Sequence, residues 1–187
     1  MTGHFEASRD ALAQAAGDAA LRATTQVIAD TITRAIQAGG KLLLIGNGGS
    51  AADAQHIAAE FVGRYKLERP GYAAIALTAD SSALTSIAND YGFEQVFARQ
   101  VEALGAEGDV LLALSTSGRS PNILAALRTA RQRGLATIGF TGARGETMRP
   151  DCDQLFVAPS DDTPVIQQIH MVALHAICAV VERALAS

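Results

Sequence analysis

The stretch Lys41-Leu42-Leu43-Leu44-Ile45-Gly46-Asn47-Gly48-Gly49-Ser50 decides the fold class. A short apolar run enters glycines at once. That is how a strand buried on both faces of a parallel sheet reads. Residues 51–65 behind it read as a helix, so the unit is strand, glycine loop, helix.

The alternation continues in both directions. Residues 72–77 (YAAIAL), 109–114 (DVLLAL), 135–140 (LATIGF) and 154–157 are strand-like, and residues 81–89, 93–104 and 122–133 are helix-like. Residues 163–185 form a long apolar C-terminal helix. The first 38 residues read as helix, with Val27, Ile28, Ile32 and Ile36 recurring at helical spacing before Gly39-Gly40 ends the element. This order implies an α/β three-layer sandwich, a parallel sheet of about five strands with helices on both faces. The 187 residues fit one domain, with no linker and no low-complexity segment.

Composition removes several functions. Hydrophobic residues make up 49% and charged residues 18%, which excludes a disordered chain. Fifteen basic against nineteen acidic residues leave a formal charge of −4, so no basic surplus points to nucleic acid. Trp is absent and aromatics are 5%, too few for a base-stacking platform. The strongly apolar runs are far shorter than the roughly 20 residues of a membrane span, and the N-terminus has no signal-peptide pattern. Cys152 and Cys178 form no metal-binding or redox spacing, so two reduced thiols in a cytoplasmic protein are expected.

Ligands of open parallel sheets bind beyond the carboxyl ends of strands, and two such ends carry unusual loops. Gly46-Asn47-Gly48-Gly49-Ser50 lets backbone approach a ligand closely ahead of a helix N-terminus, with Ser50 suited to cap it. It is no dinucleotide fingerprint, because Ala51 stands where the third glycine belongs, and no P-loop, because no GK[ST] follows. The second loop, Ser115 to Asn122, brings the hydroxyls of Ser115, Thr116, Ser117 and Ser120, with Arg119 beside them. Hydroxyls and free N–H groups suit the oxygens of a phosphate monoester. Asn89-Asp90 reads as the end of a helix and a turn.

His4, His56, His170 and His175 are the only histidines. His56 and Glu60 stand at i, i+4 and share a helix face, an arrangement that serves a metal, an acid–base pair or a plain surface hydrogen bond. Gln167, His170 and His175 lie on the apolar C-terminal helix and need partners when buried. Gln167 and His175 are eight residues apart, about 12 Å along the axis and about 80° around it. Either the helix is distorted, or the two serve different parts of a site, or a neighbouring subunit completes it.

Read together, Gly46–Tyr65 (GNGGSAADAQHIAAEFVGRY), Ser86–Gly92 (SIANDYG), Asp109–Ser120 (DVLLALSTSGRS) and Ile166-Gln167 with His170 and His175 resemble the phosphoheptose isomerases. These are single-domain members of the sugar isomerase (SIS) superfamily. The resemblance runs from the N-terminal helix to Val181 and implies one SIS domain over residues 1–187, with residues 1–38 packing in an oligomer. It implies an aldose–ketose isomerase that converts sedoheptulose 7-phosphate to D-glycero-D-manno-heptose 7-phosphate through an enediol. That is the first step of nucleotide-activated heptose biosynthesis, which feeds lipopolysaccharide and other glycans. Glu60 and His175 match the acid–base pair; His56, Glu60, Gln167 and His175 match the positions that hold one Zn²⁺ per subunit.

By the same resemblance Asn47, Gly48, Gly49 and Ser50 lie against the sugar phosphate, and Ser115, Thr116, Ser117 and Ser120 hold the phosphate. Asn89 and Asp90 contact the sugar, and Glu60 and Gln167 also face the substrate. A homotetramer with sites at subunit interfaces is implied, and no nucleic acid or membrane partner. One departure is Val165, where relatives often carry Arg. Two rival readings stand beside this one: a non-catalytic SIS module that binds regulators or replication initiators, and an isomerase of another phosphosugar. His4 is expected to be an exposed end residue and His170 structural.

Overall fold

The structure is a computed structural model that describes residues 2–186. Five parallel strands, β1 (Leu42–Gly46), β2 (Ala74–Ala76), β3 (Val110–Leu114), β4 (Ala136–Gly142) and β5 (Gln154–Ala158), form one sheet in the order β2-β1-β3-β4-β5. The α/β three-layer expectation therefore holds. All five residues of β1 and of β3 are buried, as strands covered on both faces must be.

The period-2 alternation inside the quoted run builds both cores. Leu42 and Leu44 point into one cluster with Ile28, Ile32, Ile57, Phe61, Ile169 and Leu174. Leu43 and Ile45 point into the other with Val101, Ile123, Leu127 and Leu135. Helices α2 (Ala19–Gln37), α3 (Gly49–Val62) and α7 (Thr163–Ala186) cover the first face; α5 (Ala98–Leu104) and α6 (Pro121–Gln132) cover the second. Helix α4 (Ser81–Tyr91) follows β2.

The N-terminal segment departs from the single helix expected. It is two helices, α1 (Thr2–Gly17) and α2, because the Asp18 carboxylate accepts from the backbone N–H groups of Ala20 and Leu21 and starts a new helix. Residues 93–104 are likewise a short 3₁₀ turn at 93–95 followed by α5. Helix α7 is long and apolar enough to cross a membrane by length and composition, which the short apolar runs did not show. Half of its apolar window is buried inside the fold, and it packs against α2 and α3 as the core helix of the domain. Cys152 and Cys178 are free, and burial, helped by nearby carboxylates, pushes both thiols up to about 12.

Candidate active site

β1 leads to β2 on one side, and β3 leads to β4 and β5 on the other. The chain therefore changes direction between β1 and β3, the place where open α/β sheets bind ligands. Both loops singled out from the sequence leave the sheet there. They are joined by reciprocal amide bonds: Asn47 Nδ2 donates to Asn122 Oδ1 at 3.0 Å, and Asn122 Nδ2 donates to Asn47 Oδ1 at 2.8 Å.

In the first loop Gly48 takes φ +57°, a left-handed conformation that favours glycine, and it precedes α3. A Cβ on Gly49 would stand 2.6 Å from Gln167 Nε2, so the loop passes directly beneath that amide. Ser50 is not the cap expected. Gly48 occupies that position, and Ser50 lies buried in the first turn, where its Oγ accepts from Gln167 Nε2 at 3.5 Å.

The second loop is tethered by its backbone. Ser115 N–H donates to Phe140 O, Gly118 N–H to Ser115 O, Gly142 N–H to Thr116 O, and Thr147 Oγ1 to Gly118 O. Ser115 Oγ and Ser120 Oγ are 3.2 Å apart, and Ser120 precedes α6 without capping it through its side chain. Thr116 and Ser117 line a polar pocket of about 220 Å³ with Arg119, Arg144, Asp161, Thr163 and Ile166. Arg144 pairs with Asp161 at 2.8 Å.

The chemistry-bearing cluster forms where α3 meets α7. His56 Nε2 lies 3.1 Å from His175 Nε2 and 3.3 Å from Glu60 Oε1. His56, Glu60 and His175 offer ligand atoms within 4.8 Å of one another, with His56 exposed and the others half-buried. Metal bonds of about 2.0–2.2 Å to tetrahedral ligands set those ligands about 3.3–3.6 Å apart. The 3.3 Å His56–Glu60 separation falls in that range and the 3.1 Å His56–His175 separation just below it, so the three groups form a candidate site for one metal ion. The Tyr65 ring stacks on His175, centroids 5.5 Å apart and planes 20° from parallel.

Three of the four expected metal ligands are thus together. Gln167 sits with Ser50 and Gly49, because α7 is one continuous helix and eight residues carry the chain about 12 Å along it. Asn89 and Asp90 are exposed in the last turn of α4, bonded to each other at 2.7 Å. His4 is exposed, with its ring 3.3 Å from Gln168 Nε2. His170 is fully buried against Thr141 O at 3.1 Å. Val165 is buried in the core, so that position carries no charge into the site. A roomier groove of about 300 Å³ between α1, α2 and α7 is lined mostly by apolar groups and stands apart from these residues.

The SIS domain family matches residues 5–142 of this sequence. A phosphoheptose isomerase from Bradyrhizobium sp. (strain ORS 278) is 65% identical over 185 residues, covering 99% of this chain and 93% of that protein. The chain belongs to the phosphoheptose isomerase family. One from Burkholderia pseudomallei (strain K96243) is 53% identical over 185 residues, covering 99% and 94%. The solved phosphoheptose isomerase of Neisseria gonorrhoeae superposes with a TM-score of 0.91 at 41% identity, covering 97% of this chain and 96% of that one. As a member of this family the chain is an aldose–ketose isomerase.

Sequence reasoning missed Asn122, Tyr65 and a third group. Glu182, on α7, accepts from the backbone N–H groups of Tyr65, Lys66 and Leu67 at 2.8–2.9 Å and from Arg69 Nε at 3.2 Å. Burial opposes its ionisation, but these donors outweigh burial and hold the carboxyl below the usual range. The signal was present: an acid in the apolar run Val180-Val181-Glu182 needs partners as surely as a buried histidine does. Asp53, one turn ahead of His56, has a buried Oδ2 without a partner among the described residues. Burial lifts its carboxyl above the usual range, against the opposing pull of His56.

Proposed function

We propose that this protein interconverts sedoheptulose 7-phosphate and D-glycero-D-manno-heptose 7-phosphate through an enediol. The observation that carries the reading is the His56–Glu60–His175 cluster, with its 3.1 and 3.3 Å separations, where the helix that follows the glycine loop meets α7. The names of the relatives at 53–66% identity, phosphoheptose isomerases, support a phosphoheptose substrate.

Glu60 is assigned as the base. It takes a proton from C1 of the ketose while His175 protonates the C2 oxygen, giving the enediol. Returning the carbon proton to C2 while His175 takes the proton from the C1 oxygen yields the aldose. The reaction conserves electrons and protons overall. Ser115, Thr116, Ser117 and Ser120 hold the phosphate through hydroxyls and loop N–H groups, and Asn47, Gly48, Gly49, Ser50 and Gln167 position the sugar. Asn89 and Asp90 are the proposed contacts to the distal sugar.

His56, Glu60 and His175 would hold the zinc ion, and Glu60 serves as the base only while its carboxylate is off the metal. Bound there, the ion would supply Lewis-acid chemistry, drawing negative charge toward a substrate oxygen. We further propose a cytoplasmic homotetramer, the source of activated heptose precursors. Free thiols at Cys152 and Cys178 and the exposed apolar Val27 and Val172 on α2 and α7 support that reading.

The deciding experiment incubates the purified protein with sedoheptulose 7-phosphate and, separately, with fructose 6-phosphate, following the aldose or ketose formed. Turnover of the heptose alone is expected, abolished in Glu60→Gln and His175→Ala. Turnover of the hexose alone reassigns the substrate. Activity intact in both variants removes the catalytic assignment.

A further inference from the structure

Helix α3 ends at Val62, and the chain from Gly63 to Ala73 returns to β2 as an irregular segment. Two buried side chains fasten it. Arg69 and Glu182 are each 3% exposed and paired at 3.2 Å. The Glu182 carboxylate takes the N–H groups of Tyr65, Lys66 and Leu67. The Arg69 guanidinium gives its protons to the carbonyls of Glu60, Phe61, Gly63 and Pro70 at 2.7–3.1 Å, and its plane lies 3.9 Å from the Tyr72 ring centroid.

A buried ion pair of this kind is tolerated because its remaining polar atoms are satisfied. Here those atoms are satisfied by the backbone that ends α3, including the carbonyl of Glu60. Glu182 stands two turns after His175 on the same face of α7. The pair therefore joins the helix that carries Glu60 and His56 to the helix that carries His175. The residue so pinned, Tyr65, lays its ring flat on the His175 imidazole, while the His56 ring meets it edge-on at 5.2 Å and 63°.

An imidazole on one rotatable stem has a free plane unless something sets it. We propose that Tyr65 is a positioning residue for His175, and that the Arg69–Glu182 pair is the clamp that holds Tyr65 against it. The stack fixes the ring so that Nε2 faces His56 and Glu60. This rests on the reading of His175 as a working group of the isomerase. The aromatic face does the positioning, and the phenol oxygen is not required.

The test uses the full chain as Tyr65→Phe, Tyr65→Leu and Glu182→Gln, with two readouts. The first is the NMR position of the His175 Cε1 proton, assigned by its loss in His175→Gln, since a stacked ring moves it upfield. The second is kcat and KM on sedoheptulose 7-phosphate. Tyr65→Phe keeps the upfield position and the wild-type kcat. Tyr65→Leu loses the shift, and kcat falls on the order of 10- to 100-fold with KM little changed, as misplacement of a catalytic group does. Glu182→Gln shows the same loss of shift with Tyr65 still present. An unmoved proton in Tyr65→Leu overturns the proposal, as does an unchanged kcat after the shift is lost, or a Tyr65→Phe that behaves like Tyr65→Leu. Inactive wild-type protein would count against the proposed substrate instead, and the proton position would still decide the stack.

Discussion

Asn47 and Asn122 hold the glycine loop and the hydroxyl loop together by exchanging amide hydrogen bonds at 3.0 and 2.8 Å across the point where the sheet reverses direction. Asn122 is 2% exposed, and its Oδ1 also accepts from the N–H of Ile123. Asn122→Ala therefore removes both partners of the Asn47 amide and leaves the Ile123 N–H only the Ser120 carbonyl. Leaving buried polar groups unpaired costs about 1–3 kcal/mol. Thermal or urea unfolding should show that loss. Because the two side chains share their bonds, Asn47→Ala added to Asn122→Ala should cost far less than the sum of the single changes. Additive losses would show that the pair does not act as a unit.

The hydroxyl loop gives a separate expectation. The Ser120 side chain makes no cap bond to α6 and faces Ser115 instead. Removing one hydrogen bond to a charged group costs about 1.5–3 kcal/mol, roughly 10- to 150-fold in affinity. Ser120→Ala and Ser117→Ala should raise KM for the phosphosugar and weaken inhibition by inorganic phosphate in parallel, with kcat little affected. A change in kcat alone would move these hydroxyls from phosphate binding to the reacting end.

Metal loading should appear as stability. A ligand that binds only the folded state at 100 times its dissociation constant adds about 2.7 kcal/mol. The melting temperature of the wild-type protein should fall on chelation and return with Zn²⁺, at one ion per subunit by elemental analysis. His56→Ala and His175→Ala should bind no stoichiometric zinc and show no response to chelator. A chelator-sensitive melt in both variants would place the metal elsewhere.

Much of this was legible in the sequence, for identifiable reasons. The run Leu42–Ile45 is apolar at every position because each side chain enters a core, alternately one and then the other. The i, i+4 spacing put His56 and Glu60 together through local helix geometry alone. What the sequence hid depends on pairings between distant elements. Nothing local in α6 shows that Asn122 faces Asn47, 75 residues away, or that Glu182 reaches back to residues 65–69. The break at Asp18 was locally encoded, since Asp followed by a helical run is a cap signal, but the surrounding alanines conceal it. The roughly 12 Å between Gln167 and His175 follows from helix rise alone, and Gln167 lies beside the glycine loop.

Burial of His170 should weaken the fold in acid. Its ring is fully buried, edge-on to Phe140 at 5.5 Å and to Phe156 at 6.1 Å. Thr141 O accepts only, so Nε2 carries the proton at 3.1 Å, and Nδ1 has no partner among the described residues. A second proton would have to enter at Nδ1 with no acceptor. Burial accordingly lowers the pKa from 6.5 to about 4, against the raising influence of the Thr141 carbonyl. The unfolded chain takes up this proton near its ordinary value, and the folded protein does so only near the lowered one. Between those values the unfolded state binds more protons, so stability falls as pH falls through the window from 6.5 to about 4. At 1.36 kcal/mol per pH unit the full loss is on the order of 3 kcal/mol. Urea unfolding at pH 7.5 and pH 4.5 should show that decline in the wild-type protein. His170→Gln should start less stable and decline less across the same interval. An equal decline in both proteins would show that other groups govern the acid limit.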